Sequence, residues 1–235
     1  NAVSYTLAVA KKQGDKEFVK EWENIAKKTK KSFIEKFWLE EEGYLADYVN
    51  YDEVNKFIRP NMVVACGLGF KMLSEEQQAR TLHTIQQHLL TPRGLRTLSP
   101  RNPIYKSNYN EDQRSQDLAS RNGSAWIWPL TFYVKACFAL NGERYYGEAK
   151  ALLEEFDNEL QTKCVGSISE RFEGDPPHGP RGSVSHATSV AGLLLINQMV
   201  EKFAPKKKAA KKAQPKAEAK EEKPKRKCVR KSVQK

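Results

Sequence analysis

Along residues 1–204 the apolar positions recur at helical spacing, and polar punctuation marks where each helix stops. A first helix, residues 2–13, ends at Gly14. A second, residues 15–37, sets Phe18, Trp22, Ile25 and Phe33 on one face. A third opens at Arg59-Pro60-Asn61, with proline in the first turn where its missing N–H costs nothing, and runs to about Leu73. Ser74 then begins Ser-Glu-Glu-Gln, a capping box with Gln77 three residues on. The helix behind it carries Leu82, Ile85 and Leu89 and stops before Pro92. A fifth covers 124–140 and is closed by Asn141-Gly142. A sixth shows Ala149, Leu152, Leu153, Phe156 and Leu160, and a seventh spans 185–203. No alternating pattern of useful strand length is visible.

The connections alternate in length. Those after the first, third and fifth helices are very short. Those after the second, fourth and sixth run to about 20, 33 and 23 residues, whereas loops beyond about 15 residues are uncommon in a compact domain and often functional. In an array of antiparallel helices, alternate connections fall at opposite ends, so the three long ones gather on one face. An all-α toroid with a loop-built functional face fits this pattern. Seven helices are too few to close a ring of twelve, so the chain reads as the C-terminal portion of a larger domain. An open α-solenoid or a bundle is the alternative.

Charge changes the picture at one place only. Of 40 Lys and Arg, 14 lie in residues 206–235, against 3 of 29 Asp and Glu, so the whole net charge of +11 belongs to that end. The body, 1–204, is electrically balanced. The segment from 205 to 235 has no aromatic residue and little apolar content, and is predicted to be disordered. No stretch is apolar enough for a membrane span; the densest, 184–199, is broken by Ser, His and Thr. Asn1 stands inside a helical pattern, which predicts a cut N-terminus. The four cysteines (66, 137, 164 and 228) show no metal-type spacing, and Cys66 and Cys137 lie in apolar helical stretches. Buried, reduced thiols and a cytoplasmic setting follow. No cofactor or metal is expected, because no H-E-x-x-H, nucleophile elbow or Walker motif occurs.

Two of the long loops carry the chemistry. The first, from Thr91 to Asn122, holds Arg93, Arg96, Arg101, Arg114 and Arg121 with Tyr105 and Tyr109, and leads into Trp126 and Trp128. Aromatic faces beside planar polar groups suit sugars. Both tryptophans fall at the start of the fifth helix, two residues apart, so they point to different faces and at most one is expected to face a pocket. The second loop, from Thr162 to Val184, holds Glu170, Glu173, Asp175, His178 and Arg181 among glycines and prolines that fix an irregular backbone. Hydrolysis of a glycosidic bond needs two carboxyl groups, one to protonate the leaving oxygen and one to activate water or attack carbon.

The strings RPNMVVACGL, LLTPRGLRTLSPRNPIY, NGSAWIWPL and VGSISERFEGDPPHGPRGSVSHATSVAGLL resemble, over about residues 1–200 and in the same order, the C-terminal amylo-α-1,6-glucosidase domain of bacterial and archaeal glycogen-debranching enzymes. The resemblance implies an (α/α)6 toroid, the six-hairpin glucoamylase-like fold. It also implies hydrolysis of α-1,6-linked glucose at branch points of glycogen or another branched α-glucan, with inversion. Within GSISE, Glu170 matches the general base, which inverting geometry places about 6.5–9.5 Å from the acid. The resemblance puts that acid on a Trp-Met-Asp string upstream of residue 1, in the rest of the chain's own toroid. Arg59, Asn61, Arg96, Tyr105, Trp126, Trp128, Asp175, His178 and Arg181 are the substrate-binding candidates. Two departures stand out: Arg121 replaces a histidine, a permanent cation for a neutral ring, and Ile127 replaces the proline between the tryptophans. Two further readings compete. One is another toroid glycosidase, glucoamylase- or trehalase-like. The other is a degenerate scaffold whose basic tail binds nucleic acid or another polyanion, which the tail's lack of aromatics disfavours.

Overall fold

The computed structural model describes residues 1–108, 112–162 and 165–205. Tyr109, Cys164, Cys228 and the basic segment 206–235, with its predicted disorder, lie outside the described residues. Asn1–Ala204 form one compact unit.

Helix α1 (Ala2–Gln13) ends at Gly14, and α2 (Lys16–Phe37) starts from Asp15, whose side chain accepts the Phe18 N–H at 3.0 Å. The two make a hairpin. Helix α3 (Asn61–Gly67) follows, then α4 (Glu75–His88) behind the Ser74–Gln77 capping box, in which both reciprocal bonds form. Helix α3 stops at Gly67 and not near Leu73. A Cβ on Gly67 would stand 2.6 Å from the Phe132 carbonyl, so the backbone of α3 closes directly onto the next long helix, and Leu68 is already extended.

That long helix, α6 (Ile127–Glu154), is broken at Asn141 (φ −159°, ψ 93°). Tyr133 donates its hydroxyl to Glu148 at 2.7 Å, yet fifteen residues of straight helix would span about 22 Å. The two arms therefore fold back on each other. The Asn141 side chain caps the second arm through the Arg144 N–H at 3.1 Å, so the hairpin expected at Asn141-Gly142 is present. After α7 (Asp157–Thr162), α8 (Ala187–Phe203) packs along α6, which also packs on α3. Val63, Ile85, Ile127, Leu130, Ala136 and Ile196 are fully buried there. Cys66 and Cys137 are free thiols inside this core, and burial pushes each up to about 12.

Three features depart from the sequence reading. First, the long connection before residue 124 contains a helix, α5 (Gln113–Asn122), capped by Asp112 onto the Ser115 N–H at 2.7 Å. Its faces are polar and it buries only Ser115 and Ala119, so no apolar period announced it. Second, residues 38–55 form two small hairpins: β1 (Trp38–Leu39) with β2 (Tyr44–Leu45), and β3 (Tyr48–Asn50) with β4 (Glu53–Asn55). Third, β5 (Leu90–Thr91), β6 (Gly94–Arg96), β7 (Ala125–Trp126), β8 (Arg171–Phe172) and β9 (Pro180–Arg181) make one antiparallel sheet in that order. Strands of two or three residues are too short for alternation to register. This sheet is what draws the loop after α4, the entry to α6 and the loop after α7 to one end of the helices.

Among the described residues no helix is long and apolar enough to cross a membrane.

Candidate active site

Glu170 sits just before β8, at the end of the buried pair Ile168-Ser169. Its N–H donates to the Ser183 carbonyl at 2.9 Å, and its carbonyl accepts from the Ser189 hydroxyl at 3.1 Å. Its carboxylate Oε2 accepts the Ser183 N–H at 2.9 Å, and Oε1 lies 3.8 Å from Arg171 Nη1. The side chain keeps 21% of its surface in solvent, enough for water to reach it. Opposite stands Gly182 at φ 75°, where a Cβ would lie 2.2 Å from Oε2. The carboxylate therefore occupies the space a side chain at 182 would need. An oriented, partly solvated carboxylate of this kind can take a proton from a water molecule.

Beside it lies a cavity of about 290 Å³ lined by Arg59, Pro60, Asn61, Thr97, Ser120, Arg121, Trp126 and Trp128. Both tryptophans reach it, against the expectation that only one could. Trp126 is not in the helix: it ends β7 with extended backbone (φ −124°, ψ 146°), while Trp128 stands in the first turn of α6. Arg171 joins the cavity to the carboxylate. Its guanidinium carbon lies 5.7 Å from the Trp126 ring centre and its Nη1 donates to Ser120 Oγ at 2.9 Å, while the same nitrogen faces Glu170. His186, the N-cap residue of α8, meets the Trp126 ring edge-on at 6.5 Å.

The remaining candidates hold the loops together. Arg59 donates from Nη1 to the carbonyls of Thr97 (3.1 Å) and Arg121 (2.7 Å), and from Nη2 to Asn122 Oδ1 (2.8 Å). Asp47 sits behind it, 3.5 Å from Arg59 Nε, and accepts from Asn61 Nδ2 at 2.6 Å. Arg96 donates from Nε to the Gly174 carbonyl at 2.8 Å and lies 4.0 Å from Asp175, which accepts the Tyr105 hydroxyl at 2.8 Å. Burial, then the Asp175 contact, pushes the Tyr105 hydroxyl up to about 12, so it stays a donor. Arg181 grips Glu173 with two nitrogens, at 2.5 and 3.1 Å, and His178, at φ 56°, keeps Nδ1 3.0 Å from the Glu173 carbonyl. Arg96, Tyr105, Asp175, His178 and Arg181 brace the loop from 173 to 182 and do not line the tryptophan cavity.

Asp47, Arg171, Ser120 and His186 were not singled out in the sequence. Only Arg171 had a pointer, its place directly after Glu170. Asp47 is one of six carboxylates in the stretch 38–58, and its partners lie 12 and 14 residues on.

Residues 1–195 match the amylo-alpha-1,6-glucosidase family. The glycogen debranching enzyme of Saccharomyces cerevisiae (strain ATCC 204508 / S288c) is 28% identical over 85 residues, which is 34% of this chain and 6% of that protein. Among solved structures, neutral trehalase Nth1 from Saccharomyces cerevisiae superposes with a TM-score of 0.53 at 13% identity, over 78% of this chain and 33% of the trehalase chain. The chain thus spans a small part of either protein. The second likeness is one of fold: it places the helices in the α/α-toroid class, so the open solenoid and the bundle no longer compete.

Proposed function

Because the chain belongs to the amylo-alpha-1,6-glucosidase family, we propose that it forms the C-terminal part of a glycoside hydrolase that removes α-1,6-linked glucose at branch points of glycogen or a related α-glucan, with inversion. The observation that carries this reading is the Glu170 carboxylate, fixed by backbone bonds and joined by Arg171 to a cavity walled by two tryptophans.

In this reading Glu170 is the general base. It takes a proton from a water, whose oxygen bonds to the anomeric carbon as the bond to the glucan O6 breaks. A carboxylic acid from the upstream part of the toroid protonates that oxygen. The separation expected for inversion, about 6.5–9.5 Å, leaves room for the water. Trp126 and Trp128 give the sugar its apolar walls, with Asn61, Thr97 and Ser120 at the polar rim. Arg59 and Asp47 set the rim by tying Asn61 to the Thr97 and Arg121 backbone. The free thiols of Cys66 and Cys137 support a cytoplasmic setting, where such a glucan would be met.

The test is glucose release by the full-length protein from a phosphorylase limit dextrin, beside maltose and trehalose. Glucose from the dextrin alone is the expected result. Glucose from trehalose instead would replace the reading with a trehalase-like one, and none from any would overturn the hydrolase reading. Trp128 separates pocket from core in the same preparation. It is 38% exposed and its ring meets Phe132 edge-on at 6.3 Å. Trp128→Ala is expected to weaken oligosaccharide binding about tenfold, or 1.4 kcal/mol, while the melting temperature stays near that of the wild type. Calorimetric titration and thermal unfolding read the two effects; unchanged affinity would remove Trp128 from the pocket.

A further inference from the structure

Behind Glu170 lies a second carboxyl group that the proposed reaction does not touch. Glu159, in α7, is only 4% exposed, and its Oε1 accepts the hydroxyl of Ser169, itself 3% exposed, at 2.8 Å. A carboxyl group taken out of water with a neutral hydroxyl as its hydrogen-bond partner is an expensive way to stabilise a fold; an apolar pair of similar volume would do so at less cost. What the contact does supply is direction. The peptide run 168–170 is gripped by residues 183–189: the His186 N–H reaches the Ile168 carbonyl at 3.0 Å, Ser183 binds the Glu170 N–H, and Ser189 the Glu170 carbonyl. Among the described residues the Ser169–Glu159 bond is the one side-chain hydrogen bond that ties this run to α7.

We propose that Glu159 is a positioning residue for Glu170: through Ser169 it holds the peptide that aims the Glu170 carboxylate at the sugar cavity. This rests on the reading of Glu170 as general base. Without the bond the run loses its tie to α7, and the carboxylate swings relative to the water it must deprotonate.

The test compares Ser169→Ala, Glu159→Leu, Glu159→Gln and the Ser169→Ala/Glu159→Leu pair in the full-length protein, with kcat and KM on limit dextrin and thermal unfolding of each. Ser169→Ala and Glu159→Leu are expected to lower kcat about tenfold, the scale of a small misalignment of reacting groups, with KM within about twofold. Glu159→Gln keeps an oxygen that accepts the Ser169 hydroxyl and should retain most of the turnover. The double variant should fall no further than the worse single one, because both remove one bond. Wild-type kcat in Ser169→Ala and Glu159→Leu, or a loss in Glu159→Gln equal to that in Glu159→Leu, would overturn the proposal. If Glu159→Leu does not fold, Ser169→Ala decides alone. Glu170→Gln distinguishes the two levels: its full activity takes away the general-base reading and this one with it, whereas an inactive Glu170→Gln beside a fully active Ser169→Ala overturns the positioning role only.

Discussion

Glu170→Gln in the full-length protein is expected to lower kcat on limit dextrin by about 10²–10⁴-fold, the range that loss of a general base produces, while KM and oligosaccharide affinity stay within about threefold of wild type. The local geometry makes this substitution clean. Glutamine has the shape of glutamate, and its carbonyl oxygen can still accept the Ser183 N–H that holds Oε2 at 2.9 Å. The peptide bonds of residue 170 to Ser183 and Ser189 do not involve the side chain that changes. What disappears is the basic oxygen and the negative charge facing Arg171 at 3.8 Å. In the proposed reading binding rests on the tryptophan cavity, which the carboxylate adjoins without lining. A fall in kcat at constant KM marks an interaction made only in the transition state. Turnover close to wild type would instead show that some other group activates the water, and the Glu170 assignment would be abandoned.

Local chemistry in this chain was readable from the sequence, and contacts between distant segments were not. The helix starts at Asp15, Ser74 and Asn141 carry their own signals, because a short polar side chain bonds to a backbone N–H three residues away. The alternation of short and long connections depends on where helices stop, and two of the three long connections, those after α4 and α7, share one sheet. Glu170 stood out because its loop resembles a known string, not because any spacing isolates it from Glu173 or Glu159. By contrast, the sheet that assembles the site consists of strands two or three residues long, each meaningful only beside its partner: Leu95 opposite Trp126, Ala125 opposite Phe172. The misreading of the tryptophans has the same source. A helix begun at Ser124 turns them away from each other, whereas pairing to β6 keeps Ala125-Trp126 extended and lets both rings reach one cavity. Asp47 and Glu159 contact Arg59, Asn61 and Ser169, partners that no single-sequence pattern connects to them.

If that short sheet is what assembles the site, its anchor to the helices should be costly to remove. Phe172→Ala is expected to destabilise the toroid by about 3–5 kcal/mol, as truncation of a fully buried phenylalanine does. Phe172 has no exposed surface, and its ring meets Phe156, equally buried, edge-on at 5.9 Å. Arg93 lies over both rings, its guanidinium carbon 5.4 Å from the centre of Phe156 and 5.9 Å from that of Phe172. Alanine would leave a void bounded by Phe156 and by two strands whose backbone pairing, to Ala125 and Pro180, limits how far they can collapse into it. At about 2–4 °C per kcal/mol for a domain of this size, the transition should fall by roughly 10 °C, readable by calorimetry of the full-length protein. Phe172→Leu keeps most of the volume and should cost under about 1.5 kcal/mol. The contrast with Glu170→Gln is what gives the pair its force. Residue 172 is two positions from the carboxylate, and its strand partner β7 carries Trp126, so the alanine variant should lose stability and, even well below its transition, some turnover. Glu170→Gln should lose turnover alone. An unchanged transition in Phe172→Ala would mean that the backbone bonds of the sheet hold β7 and β8 together without their aromatic floor, and the spacing between Trp126 and Glu170 would then have to be set by the Arg171 bridge instead.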